Sequence, residues 1–133
     1  MVFVDTSVFC ARYARLDAWH GTAVRLWREL EGTSLVTTNH ILEESLTLLA
    51  RRVGYAFAAN LASHVYASVE LDVIYTTREE EQEALPFFRK FANQRVGFTD
   101  CISFAVMRRN GIRTAFTFDR HFVDAGFKVI GLE

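Results

Sequence analysis

Val2-Phe3-Val4-Asp5 near the N-terminus and Thr114-Ala115-Phe116-Thr117-Phe118-Asp119 near the C-terminus follow one plan: a short, mostly apolar run closed by an aspartate. Runs that are apolar on both faces suit strands of a parallel sheet covered by helices on each side. Comparable runs lie at Ser34-Leu35-Val36-Thr37, Leu71-Asp72-Val73-Ile74 and Lys128-Val129-Ile130, and longer segments with helical spacing separate them. This β/α alternation predicts a three-layer α/β/α sandwich around a central parallel sheet. With short connections and no repeats or low-complexity tracts, residues 1–133 read as a single domain.

The helical segments carry their own punctuation. Trp19 to Glu31 sets Ala23, Trp27 and Leu30 on one face. Asn39 is placed to cap a helix running to about Arg52 and ending near Gly54, and a further helix spans Tyr55 to Ser68. Glu79 to Phe91 reads as helix with an acidic opening, although Pro86 must kink it or start a new one. The last long helix runs from about Asp100 to Arg109, stopped by Asn110-Gly111.

Composition narrows the function classes. Half of the 133 residues are hydrophobic, twelve are Phe and one is Pro, so a core can form without disulfides or a structural metal. The two cysteines, Cys10 and Cys101, have no paired spacing and read as small buried packing residues. No apolar run reaches the roughly 18 residues a membrane span needs, and no basic segment precedes an apolar one at the N-terminus, so a reducing cytoplasm is the expected compartment. Net charge is -1, which denies the molecule a general attraction for nucleic acid and confines any such binding to a local basic surface. Of fifteen basic residues only Lys90 and Lys128 are lysines. That bias fits the phosphate-gripping fork of arginine and fits a GC-rich coding sequence equally well.

Candidate chemistry rests on carboxylates. Asp5 and Asp119 both follow strands, and in an open parallel sheet the C-terminal strand edge is where ligands bind. Either one alone reads as a helix cap or turn residue; two at one edge favour a site. On the Asn39–Arg52 helix, Leu42, Ser45, Leu46 and Leu49 form the apolar side. Glu43 lies nearly opposite it, while Glu44 sits on the flank beside Ile41 and Leu48. Glu44 is therefore the candidate, and Glu43 a solvated acid. Asp100 opens an apolar helix, where it can serve as an N-cap or stand beside a phosphate held by backbone N–H groups.

Four segments in order carry a resemblance across nearly the whole chain: Val2-Phe3-Val4-Asp5-Thr6-Ser7, Thr37-Thr38-Asn39-His40-Ile41-Leu42-Glu43-Glu44-Ser45-Leu46, Phe98-Thr99-Asp100-Cys101-Ile102-Ser103-Phe104 and Thr117-Phe118-Asp119-Arg120-His121-Phe122. They resemble the PIN domain family, in particular its VapC-type toxins. The resemblance implies a metal-dependent endoribonuclease, with Asp5, Glu44, Asp100 and Asp119 holding Mg²⁺ or Mn²⁺ and Ser7 and Thr117 as supporting hydroxyls. It also implies an RNA substrate, a homodimer, and a small antitoxin whose C-terminal segment lies across the acidic pocket. The physics agrees, since like charges converging at one edge repel unless cations neutralise them, and oxygen-only ligands suit hard cations.

His20, His40, His64 and His121 lack the spacing of a zinc site. Arg120 and His121 flank Asp119, either as RNA phosphate contacts or as a solvated pair. An aspartyl phosphatase needs a second Asp two residues after Asp5, where Ser7 stands, and a receiver domain needs an acidic pair that is missing. A stand-alone RNA-processing nuclease keeps the same site. A non-catalytic module binding RNA or protein keeps only the fold. Between Ala50 and Tyr75 the apolar residues Tyr55, Phe57, Leu61, Val65 and Tyr66 either complete the core or face a second subunit.

Overall fold

The computed structural model describes residues 1–132. Chain order is β1 (Val2–Val4), α1 (Thr6–Tyr13), α2 (His20–Glu29), β2 (Leu35–Thr38), α3 (Asn39–Arg52), α4 (Tyr55–Ala67), β3 (Leu71–Ile74), α5 (Arg78–Lys90), a 3₁₀ turn at Ala92–Gln94, α6 (Phe98–Arg109), β4 (Thr114–Phe116), α7 (His121–Asp124) and β5 (Lys128–Ile130). The strands form a parallel sheet in the order β3-β2-β1-β4-β5. Helices α1 to α4 pack together on one face, where the chain winds from β1 out to β3, and α5 to α7 on the other, where it returns and continues to β5, as the usual right-handed crossovers require. Ring contacts mark both layers: Phe3 meets Phe122 of α7 at 6.4 Å, and Phe116 meets Trp27 of α2 at 6.1 Å. The expected α/β/α sandwich is the observed one.

Burial explains the strands. Val2, Phe3 and Val4 are covered on both faces, as are Leu35 to Thr38 of β2. Parallel strands in mid-sheet cannot expose a face to water, which is why alternation is absent from their sequences. The switch in winding direction falls between β1 and β4, at whose C-terminal ends a crevice must open.

Several local expectations need correction. Thr38, not Asn39, caps α3: its Oγ1 accepts from Ile41 N at 3.1 Å. The Asn39 Oδ1 instead accepts from Thr76 N at 3.1 Å, tying the end of β2 to the chain leaving β3. Helix α6 begins at Phe98 with Gly97 as its N-cap, so Asp100 lies in the first turn rather than at the cap. Helix α5 continues through Pro86 instead of restarting there. The carbonyl of Gln82, deprived of its donor, sits on an exposed face where water can reach it.

A candidate metal-binding active site

Helix α1 starts immediately after β1, which buries Asp5 at the junction. The Asp5 backbone N–H extends the β1–β4 ladder by donating to Phe116 O at 3.1 Å, and this sets Asp5 against the chain leaving β4. There Thr117 Oγ1 and Ser7 Oγ donate to Asp5 Oδ2 at 2.8 and 2.9 Å. Thr117 Oγ1 also accepts from Asp119 N at 2.9 Å, and Ser7 Oγ accepts from Phe118 N at 3.0 Å. A further hydroxyl, Thr37 Oγ1, donates to Val4 O at 2.8 Å and fixes β2 alongside.

Asp5, Glu44, Asp100 and Asp119 line one cavity of about 480 Å³ at the C-terminal edge of the sheet. Ser7 is in its wall, and the buried Thr117 lies behind Asp5. Glu43 is exposed on α3 and does not line the cavity, while Glu44, half-buried, does. The helical phasing thus distinguished the two glutamates. Arg120 lines the cavity as well. His121 does not: its backbone N–H donates to Asp119 Oδ1 at 2.9 Å and its Nδ1 lies 2.8 Å from the same oxygen, so it holds Asp119 in place. Missed by sequence reasoning were Asp17, Trp19, Arg52 and Phe118, which complete the wall. A solitary Asp or Arg carries no spacing signal, and aromatic residues in this Phe-rich chain pass for core.

Electrostatics set these carboxylates apart. Burial pushes the Asp5 carboxyl above its usual range against the opposing bonds from Thr117 and Ser7, and the charge of Asp119 adds to the rise. Asp100 is pushed up to about 8, first by burial and then by Asp5, Asp119 and Glu44. Such mutual repulsion is relieved either by protons or by a cation. Asp5 Oδ1 is buried without a hydrogen-bond partner, an arrangement that costs free energy unless something positive meets it. Among the described residues, no group of three or more His, Cys, Asp or Glu side chains is disposed as it stands to grip a metal. Mg²⁺ needs no such cage, since it retains several waters and binds through one or two carboxylates. The donor set, all oxygen, fits a hard divalent ion. Cys10, also in the wall, is no rival nucleophile, because burial pushes its thiol up to about 11.

The parallel α/β/α sandwich thus places its clustered acids at the switch point, where open α/β folds bind their ligands. The chain belongs to the PIN domain family, whose model matches residues 2–128. It is 41% identical over 127 residues to the 23S rRNA-specific endonuclease VapC20 of Mycobacterium tuberculosis, covering 96% of this chain and 95% of that protein. It is also 34% identical over 104 residues to a VapC ribonuclease of Archaeoglobus fulgidus, covering 75% of this chain and 65% of that protein. The crystal structure of M. tuberculosis VapC20, described as a Sarcin-Ricin loop cleaving toxin, superposes with a TM-score of 0.88 at 39% identity over 96% of each chain. FitAcB from Neisseria gonorrhoeae shares the fold, with a TM-score of 0.67 at 16% identity over 98% of this chain and 96% of that one.

Proposed function

We propose that this chain is a divalent-metal-dependent endoribonuclease, the toxin of a toxin–antitoxin pair. The observation that carries the reading is the convergence of Asp5, Glu44, Asp100 and Asp119 on one cavity, with a buried Asp5 oxygen left unpartnered. Identity to VapC20, named for its action on 23S rRNA, makes a structured ribosomal RNA loop the proposed substrate class. The proposed compartment is the cytoplasm; among the described residues, no helix is long and apolar enough to cross a membrane.

Each side chain then has a task. Asp5, Glu44, Asp100 and Asp119 would supply the carboxylate oxygens for the ion and its retained waters, with Asp5 oriented by Ser7 and Thr117 and Asp119 by His121. When bound, Mg²⁺ or Mn²⁺ would supply an activated water and charge compensation at the scissile phosphate. Arg120 in the cavity wall supplies a guanidinium for an adjacent phosphate. Hydrolysis would then proceed by direct attack of water, without a covalent enzyme intermediate.

The proposed partners are a second copy of the chain and a small antitoxin that sets an Arg or Lys among the carboxylates in place of the metal charge. Incubation of the purified protein with ribosomal RNA in Mg²⁺ or Mn²⁺, with new 5′ ends mapped, tests the activity. Cleavage should vanish in EDTA and in Asp5→Asn. Undiminished cleavage in either case would overturn the proposal.

A further inference from the structure

Trp19 and Phe118 form part of the wall of the acidic cavity. Their rings are stacked, with centroids 4.9 Å apart and planes 12° from parallel. Phe118 is held from behind. It packs edge-on against Phe116 at 6.2 Å, and its ring lies so close to Gly131 that a Cβ there would stand 3.1 Å from two ring carbons and 2.4 Å from Thr117 O. Its backbone N–H donates to Ser7 Oγ, the hydroxyl that also binds Asp5. Trp19 is fixed in turn by its N–H, which donates to Asp17 Oδ1 at 2.8 Å. One indole face is therefore spent on Phe118, yet the residue remains 44% exposed. A rigid aromatic plane beside a charged cavity does nothing for the core. It has the geometry on which an unpaired base stacks, the usual way proteins grip RNA loops.

We propose that the outward face of Trp19 is the stacking platform for an unpaired RNA base next to the scissile phosphate, which rests on the nuclease reading above. Arg120 lines the same cavity, so one wall offers a guanidinium for a phosphate and an aromatic plane for its base, a combination that argues for RNA as the occupant. Trp19 is thus a positioning residue that selects loops over duplex, since a paired base cannot leave its stack without cost.

The test uses two readouts. Indole fluorescence is titrated in Asp5→Asn with a short single-stranded oligoribonucleotide, and then with an abasic ribose-phosphate strand of equal length. Quenching should follow the base-bearing strand alone and disappear in the Asp5→Asn protein that also carries Trp19→Phe, which separates Trp19 from Trp27. Cleavage of ribosomal RNA in Mn²⁺ is then compared among wild type, Trp19→Ala and Trp19→Phe. The alanine variant should lose roughly tenfold or more in kcat/KM, mainly through KM, while the phenylalanine variant keeps most of it. Equal quenching by the abasic strand, an unchanged kcat/KM in Trp19→Ala, or equal losses in both variants together with a lowered Tm would overturn the platform. Base-dependent quenching without any cleavage by wild type would overturn the nuclease reading and leave the platform standing.

Discussion

Thr117 Oγ1 donates to Asp5 Oδ2 at 2.8 Å, joining the ends of β4 and β1 across 112 positions of sequence. Because the same oxygen accepts from Asp119 N, one hydroxyl orients two of the proposed ligands. Thr117→Val keeps the shape and removes both bonds. Stability should fall by about 1 kcal/mol, and metal-dependent cleavage by roughly 10-fold or more, the range seen when supporting groups behind metal ligands are lost. Melting curves and cleavage rates across a Mn²⁺ titration measure the two effects separately. Cleavage at the wild-type level would show that Asp5 needs no such support.

Asp100 links pH to metal. Its carboxyl is pushed from the usual carboxylate range up to about 8, so the metal-free folded state holds a proton that the unfolded chain releases at lower pH. Ionising it therefore costs stability as pH rises from about 4 to about 8, and Asp5 contributes in the same direction. Asp100→Asn should melt a few degrees above the metal-free wild type near pH 8, and the difference should shrink toward pH 4. Saturating Mg²⁺ should restore the wild type, with proton release on binding. Equal melting temperatures at all pH values would refute the repulsion argued for this cavity.

Two adjacent acids on α3 provide an internal control. Glu44 lines the cavity and Glu43 is exposed outside it. Glu44→Gln should lower cleavage by on the order of 10- to 100-fold and weaken Mn²⁺ binding, whereas Glu43→Gln should remain near wild type. Isothermal titration with Mn²⁺ alongside cleavage rates decides it; equal losses in both variants would remove Glu44 from the site.

Legibility in the sequence followed how strongly each feature is tied to periodicity. The strands were readable because mid-sheet burial leaves continuous apolar runs, and Glu44 was separable from Glu43 because α3 has a one-sided stripe with Ile41, Leu42, Ser45 and Leu49 buried. Helix α1 escaped notice for the opposite reason: Thr6 and Val8 to Ala11 are all buried, so no face is left polar to reveal a period. Helix α7, at four residues, is too short to carry one. Thr38 and Asn39 are adjacent cap formers, and only the position of Thr76 explains why Asn39 turns away. The hydroxyl network of Ser7 and Thr117 came from family resemblance rather than from spacing. Asp17, Trp19, Arg52 and Phe118 join the cavity through tertiary packing that no local pattern encodes.

Helix α4 presents the surface on which the proposed dimer can be tested. Of its thirteen residues only Ala58 is fully buried. Leu61 and Val65 are half-buried and pack inward, which assigns them to the monomer core. Tyr55, Phe57 and Tyr66 remain 73%, 39% and 51% exposed, and Val53 just before the helix is 44% exposed. Next to them, Leu16 is fully exposed in the wall of an apolar hollow that also includes Tyr13, Val53 and Phe57. A patch of this kind is unfavourable in water unless another surface covers it, and an isologous contact would bury it twice over. Tyr55→Glu combined with Phe57→Glu should therefore give a monomer by light scattering at micromolar concentration, while the wild type should be a dimer. The Tm of the variant should become independent of protein concentration, whereas that of the wild type rises with it. A wild-type protein that is monomeric at high micromolar concentration would sink the dimer.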